Sequence, residues 1–469
     1  MDKFKVEFIE DTPKYVQLYR HIKRLIDKGE VEDGQKLPTI RMLSKELRIN
    51  NVTVVNAYKK LESEGYAFQR MGSGTYAKRK ILGKSFRKEY RETFKKLSIE
   101  ELRNSIDFSG ESTSSSHFPV EDFKNLINKV LDRDGAEALM YQESLGFKGL
   151  RNVINKEFWN DTLDIDDILI VSGAQQGIDI IAKALINVND NIVIEKPTYN
   201  GAMMVFNWRR ANIFEIDMEE DGVNIDKLQE VLKKNRIKCF YTMSYFQNPT
   251  GYSYSLEKKK RLLNLAEKYD FYILEDDYLS ELIFNEDISY NSFKSLDLNN
   301  RVIYVKSFSK IFLPGIRIGY VITPRKFREI IQNSKINTDI STSSLMQRTL
   351  ALYIENGLWR EYMVSLIREY EKRYFFMEKY IKERLFNKVD FISPGGGLNF
   401  FIKIKDNINM DSKELFLKCR KKGVIITPGV MFFKNEIEGI KYFRVGYSQT
   451  NLEKIKEGID IIREVMEDY

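Results

Sequence analysis

The fifteen-residue segment KSFSKIFLPGIRIGY, from Lys306 to Tyr320, constrains this chain more than any other stretch of it. Ser307 and Ser309 stand just before a lysine, Pro314 and Gly315 force a turn, and an arginine follows seven residues after the lysine. Hydroxyls and a fixed cation grip a phosphate, and a neighbouring amine condenses with an aldehyde. The fold must therefore bring Lys310, Ser307, Ser309 and Arg317 around one small molecule that carries both functions. Lys310 is the candidate Schiff-base lysine, Ser307 and Ser309 are the hydroxyl donors, and Arg317 is the bidentate clamp.

The cofactor with both demands is pyridoxal 5'-phosphate, and it predicts further partners. Ile273–Tyr278 reads as a buried parallel strand that ends in carboxylates, the end where α/β folds place ligands. A carboxylate there keeps a pyridine nitrogen protonated and makes the ring an electron sink. Ser172 to Gly177 follows the apolar strand Ile168–Val171 and opens a helix. Backbone N–H groups at such a turn face an anion, which makes Ala174 and Gln175 candidate phosphate donors. Tyr442 to Tyr447 alternates like a strand and carries one cation, Arg444.

The lysine run, together with the turn Asn248-Pro249-Thr250-Gly251, resembles the class I aminotransferases. The resemblance implies that Asn248 bonds the ring oxygen and that Tyr199, in Pro197-Thr198-Tyr199, stacks on the ring. It implies that Tyr141, followed by Gly146 and Gly149-Leu150-Arg151, reaches the phosphate of a neighbouring subunit. Arg444 matches the arginine that fixes a substrate α-carboxylate by a two-point bond. Asp276 is implied on the ring nitrogen and Tyr278 on the ring hydroxyl, with Asp277 as the competing carboxylate.

These motifs occupy residues 105–469, the length of a complete aminotransferase of this fold, so the first hundred residues are an addition. Thr12-Pro13 opens a helix in which Val16, Tyr19, Ile22 and Ile26 recur at helical spacing. A short helix with Leu43 and Leu47 inward follows Lys36 to Arg41, a break follows at Ile49-Asn50-Asn51, and a second helix runs from Val52 to Glu64 with Val55, Tyr58 and Leu61 on one face. Tyr66 to Ala77 reads as a hairpin with Gly72-Ser73-Gly74 at its tip. Helix, short helix, turn, helix and hairpin make a winged helix-turn-helix. The order resembles the GntR class of bacterial DNA-binding domains, with Lys36, Arg41, Asn51, Thr53, Asn56, Arg70 and Gly72 as candidate DNA contacts. That class usually has arginine where this chain has Asn51, and asparagine still reads adenine edges or bonds a phosphate.

Charge supports the division. Residues 1–104 hold 24 Lys+Arg against 15 Asp+Glu, a balance of +9, while the rest hold 51 against 53, a balance of −2. The whole net charge thus comes from the first part, as a phosphate-binding surface requires. Residues 79–104 are charged and poor in core residues and read as a basic linker, with Phe86, Tyr90 and Phe94 giving it helical tendency. With only His21, His117, Cys239 and Cys419 available, neither a metal centre nor a Ser-His-Asp triad is expected. No signal peptide or membrane-length apolar stretch is legible, so no membrane partner and a cytoplasmic location are expected.

The two motif sets in one chain resemble the MocR subgroup of GntR-type regulators. The implied fold is α/β: a winged helix-turn-helix at 1–78, then a fold type I aminotransferase domain at 105–469, with a mixed, mostly parallel large sheet and a smaller C-terminal α+β part. The resemblance implies a domain-swapped homodimer that binds a double-stranded DNA operator. It implies that an amino compound, or the cofactor itself, is sensed through an aldimine at Lys310. The alternative is an active aminotransferase that carries a DNA-binding head.

Overall fold

In the computed structural model, helical periodicity and one hairpin build the N-terminal unit. The structure describes the chain apart from positions 1, 7, 10, 11, 28, 29, 33, 65, 71, 72, 79–81, 97–100, 102, 103, 286, 287, 468 and 469, and describes backbone alone at 2, 27, 70, 82–85, 95 and 96. The elements are α1 (Lys14–Asp27), α2 (Ile40–Leu47), α3 (Asn51–Ser63), β1 (Ala67–Arg70) and β2 (Gly74–Ala77). Leu18, Ile22, Leu25 and Ile26 of α1 share a core with Leu43 of α2 and with Val54, Ala57, Tyr58 and Leu61 of α3. On α3 the expected Tyr58 and Leu61 are buried, but Val54 rather than Val55 completes the stripe: Val54, Ala57, Tyr58 and Leu61 fall at i, i+3, i+4 and i+7, which leaves Val55 half-buried. Val16 of α1 is half-buried for the same reason, and Leu18 takes the core position.

The turn between α2 and α3 is tight. Arg48 adopts the left-handed conformation (φ 51°), and the N–H groups of Arg48 and Ile49 donate back to the carbonyls of Lys45 and Ser44. Asn50 then caps α3 by accepting from the Val52 N–H at 2.9 Å. In the hairpin, Phe68 stands opposite Tyr76 and their rings stack at 5.7 Å. These three helices and their wing form the expected winged helix-turn-helix. A helix over Leu82–Lys96 occupies much of the segment read as a linker, and the division between the two compact units, Met1–Glu92 and Thr93–Tyr469, falls within it.

In the second unit the strands are β3 (Ile106–Asp107), β4 (Ile168–Val171), β5 (Asn191–Lys196), β6 (Asn212–Glu219), β7 (Gly222–Val223), β8 (Ile237–Thr242), β9 (Tyr272–Asp277), β10 (Val302–Ser307) and β11 (Gly319–Ile322). They continue with β12 (Val389–Phe391), β13 (Asn399–Ile404), β14 (Val424–Ile425), β15 (Thr427–Pro428) and β16 (Tyr442–Gly446). The large sheet has the order β4-β11-β10-β9-β8-β5-β6-β7. Only β11 and β7 run against the other six strands, as the pairings show. Every residue of β4, β9, β10 and β11 is buried, as expected for a sheet covered on both faces. A smaller antiparallel sheet, β12-β13-β16-β15, forms the C-terminal α+β part, and β3 pairs in parallel with β14. Among the described residues no helix is long and apolar enough to cross a membrane.

β11 joins its neighbour through a glycine. Gly319 stands opposite Ser307, and a Cβ there would lie 2.5 Å from the Lys306 carbonyl oxygen. Gly319→Ala must therefore part β10 from β11 and should lower the stability of the large unit by about 1–3 kcal/mol in chemical denaturation. In the head, Leu61→Ala removes a fully buried side chain and should cost about 2–5 kcal/mol, read as lost hydrogen-exchange protection in α1 and α3.

Candidate functional site

Because six strands of the large sheet point the same way, their carboxyl ends share one edge, and a cavity of about 290 Å³ opens there. The turn after β4 delivers Ala174 and Gln175, the loop after β5 Tyr199, and the loop after β8 Asn248. β9 ends in Asp276 and Tyr278, and β10 runs out into Ser307, Ser309 and Lys310. β11 runs the opposite way, so the residues before it, Arg317 included, start at that same edge. All ten of these residues line the cavity.

The two adjacent carboxylates of β9 separate by face. Asp277 points away from the cavity, where Lys306 Nζ (3.1 Å), Tyr304 Oη (2.6 Å) and Ser280 Oγ (2.8 Å) donate to it. These donors and the Lys306 charge hold its carboxyl below the usual range despite burial. Asp276 faces the cavity. Its Oδ2 accepts from Tyr241 Oη at 2.7 Å, while its Oδ1 is buried with no hydrogen-bond partner. Burial pushes the Asp276 carboxyl up to about 6, against the Tyr241 hydrogen bond. A buried carboxylate oxygen without a donor costs about 1–3 kcal/mol, and a charged N–H donor in the cavity would satisfy it. The Tyr278 hydroxyl donates to the Phe246 carbonyl at 2.7 Å, so its proton is committed to backbone.

At the other end of the cavity the groups suit a phosphate. The helix Ala174–Leu185 begins there, with Gly173 (φ 91°) as its cap residue and therefore no capping side chain on its first-turn N–H groups. The Arg317 guanidinium crosses the opening, donating to Ser309 Oγ at 3.2 Å and to the Ser172 carbonyl at 3.0 Å. A Cβ on Gly173 would sit 2.8 Å from Arg317 Nη2 and would have to displace the guanidinium. Arg317 itself is left-handed (φ 54°), an uncommon conformation for a side-chain-bearing residue and frequent at ligand clamps. Gln175 turns its side chain to Tyr199, accepting from the phenol at 3.1 Å. Burial, then the Asp276 charge, pushes that phenol up to about 12.

Between these ends lies Lys310. Burial lowers its ammonium to about 8, Asp276 opposes the fall and Arg317 adds to it. A third of the side chain stays exposed, which limits how far burial acts. Its Nζ donates at 3.0 Å to Glu111, a residue that sequence reasoning missed. Glu111 also accepts from Asn248 Nδ2 at 2.8 Å and pairs with the Arg444 guanidinium. Glu111 sits in the irregular run Ser109-Gly110-Glu111-Ser112, where an acidic residue among small ones was the only signal, and Ser112, Met243 and Pro314 also line the cavity unforeseen.

Tyr141 does not reach the cavity of its own chain: it is 79% exposed, beside the exposed Leu139 and Met140. In the head, Arg41, Asn51 and Asn56 are exposed and Thr53 is half-buried. Lys36 bridges to Tyr76 of the wing. The Asn51 side-chain oxygen accepts from Ser44 Oγ. Arg70 ends β1 opposite Gly74, its side chain lies outside the described residues, and so does Gly72.

An acid-facing pocket at one end, a helix N-terminus with an arginine at the other and a lysine between fit pyridoxal 5'-phosphate. Residues 109–462 match the family model of the class I and II aminotransferases, and residues 14–77 that of the gntR family of bacterial regulatory proteins. Aromatic-amino-acid aminotransferase 1 of Thermococcus litoralis is 32% identical over 381 residues, spanning 79% of this chain and 90% of that protein. The uncharacterized HTH-type transcriptional regulator YdfD of Bacillus subtilis is 27% identical, with 96% of both chains covered. The crystal structure of LysN, an α-aminoadipate aminotransferase of Thermus thermophilus complexed with N-(5'-phosphopyridoxyl)-L-leucine, superimposes with a TM-score of 0.73 at 26% identity, covering 80% of this chain and 95% of that one. The chain therefore belongs to the class I and II aminotransferase family, takes pyridoxal 5'-phosphate as its cofactor, and carries a GntR-type DNA-binding domain at its N-terminus.

Proposed function

We propose that this chain is a transcriptional regulator of the MocR type, in which the aminotransferase-like unit senses an amino compound and the head binds an operator. The observation that carries the reading is one chain holding both a cavity with a buried, donor-seeking Asp276 oxygen beside Lys310 and a winged helix-turn-helix. In this reading Lys310 anchors the cofactor and Asp276 faces its ring nitrogen. Ala174, Gln175, Ser307, Ser309 and Arg317 hold the phosphate, while Tyr199, Tyr278 and Asn248 flank the ring. When bound, the cofactor supplies an aldehyde that takes amines and a ring that accepts electrons. Lys310 would hold the cofactor's aldehyde carbon until an amine replaces it there, and its Nζ lies within hydrogen-bond reach of Glu111. Coupling to the head is the regulatory step, of a size typically about 1–3 kcal/mol. A homodimer belongs to this reading, since Tyr141 reaches a phosphate only from a second copy. Lys36, Arg41, Asn51, Thr53, Asn56, Arg70 and Gly72 are the proposed DNA contacts.

A second reading, a working aminotransferase with a DNA-binding head, is favoured by the 32% identity to an aminotransferase and by the presence of Asn248 and Arg444 side by side, 2.8 Å apart. Lys310→Ala decides between them. In the sensor reading the variant keeps wild-type affinity for a duplex selected from a random pool but no longer changes that affinity when amines or amino acids are added. Should wild-type protein release oxo acid from any of them while its DNA affinity stays constant, the enzyme reading replaces the sensor.

The pH dependence of cofactor capture follows from Lys310. Only the neutral amine attacks an aldehyde, so capture by the cofactor-free protein should rise with pH about a midpoint near 8, not near the ordinary lysine value of 10.5. Stopped-flow absorbance at the cofactor's visible band reads the midpoint, and a rise that continues past pH 10 would show that burial does not set the amine.

A further inference from the structure

Arg444 is the residue expected to take a ligand's α-carboxylate, yet in the structure both its terminal nitrogens are already engaged. Nη1 donates to Glu111 Oε1 and to Asn248 Oδ1 (2.8 Å), and Nη2 donates to the Ser109 carbonyl (3.2 Å) and Thr427 Oγ1 (3.4 Å). The ion pair is well enclosed, with side-chain exposures of 6% for Arg444 and 10% for Glu111. Separating it would leave a carboxylate poorly solvated, which is far costlier than breaking a surface pair.

Glu111 is also held in place from both sides. Upstream, the Gly446 N–H donates to the Phe108 carbonyl at 2.7 Å. Downstream, the Thr113 N–H and hydroxyl both donate to the Lys310 carbonyl at 3.1 Å. Gly110 lies so close to Gln449 that a Cβ there would meet its Cγ at 2.6 Å. The second oxygen of Glu111, Oε2, faces Lys310 Nζ, the position an incoming amino group must approach.

We propose that Glu111 is a specificity-determining residue: its carboxylate fills the carboxylate-binding face of Arg444, so the site admits primary amines that lack an α-carboxylate and excludes α-amino acids. The inference rests on the sensing reading for its biological meaning, and it deepens that reading by naming the effector class. The protein itself supplies the anion that an amino acid would bring, and the ligand needs only its ammonium, which Glu111 Oε2 receives.

The test uses full-length protein loaded with cofactor, in wild-type form and as Glu111→Gln, Glu111→Ala and Glu111→Gln/Arg444→Ala. A preserved visible band certifies that each variant is assembled. Calorimetry with propionate, which has a carboxylate and no amine, reads Arg444 directly. Propionate should bind both single variants at least about tenfold tighter than wild type, and the added Arg444→Ala should abolish the gain. Equal affinity in wild type and single variants, including no binding in any, overturns the proposal. Matched pairs then test selectivity by the band shift: ethylamine with L-alanine, isoamylamine with L-leucine, and 2-phenylethylamine with L-phenylalanine. Wild type should respond to the amine of a pair and Glu111→Gln should gain response to the amino acid. A wild type that prefers the amino acids also overturns it. If propionate behaves as expected while no pair moves the band, the exclusion by Glu111 stands and the sensing reading fails.

Discussion

Parallel strands cannot be joined by tight turns, so each returns through a long crossover and every loop that leaves a strand leaves from one edge. The rest of this molecule depends on that constraint. It gathers residues from five separate loops, between Ala174 and Lys310, on one line. The exception, β11, completes the arrangement: running backward, it starts at the edge where its neighbours end, and so Arg317 arrives beside Ser309. Gly173 and Gly319 are the close approaches that let the β4 turn and the β10–β11 pair stand that near each other.

Burial then assigns chemistry to residue types that sequence treats alike. Asp276 and Asp277 are neighbours on β9, but alternation along the strand sends one into the cavity and the other onto Lys306. The first is raised to about 6 by desolvation and the second is held low by its cation, so adjacent carboxylates differ in proton affinity through environment alone. Lys306 and Lys310 diverge in the same way: the enclosed Asp277 and Glu281 keep the first charged, while burial lowers the second toward neutrality.

Much of this was legible beforehand because the phosphate grip is local. Ser307, Ser309, Lys310 and Arg317 fall within one short segment, and a strand, a turn and a second strand suffice to place them. The head was legible for a similar reason, since helix periodicity and turn residues repeat over a few positions, although on α3 Val54 rather than Val55 joins Tyr58 and Leu61 in the core. Glu111 was not legible. Its partners Asn248, Lys310 and Arg444 lie 137, 199 and 333 residues away, and nothing local marks a carboxylate in a serine-rich loop as the counter-ion of a strand arginine. Asn51 is a milder case: its place at the start of α3 suited base contact, but its oxygen is bonded to Ser44 of the preceding helix.

By itself the sequence determined that the chain joins two parts of different charge, that the larger part is an α/β fold with a lysine set for an aldehyde cofactor, and which strand ends carry the ligand groups. These follow from short-range rules: strand alternation, helix period, turn residues and the identity of neighbouring side chains. Only the tertiary structure decided which carboxylate faces the cavity, that the Tyr278 proton is committed to a backbone carbonyl, and that Arg444 already holds an anion from its own chain. Those outcomes depend on which distant groups meet in a space that excludes water. There the lack of solvent makes each charge choose a specific partner.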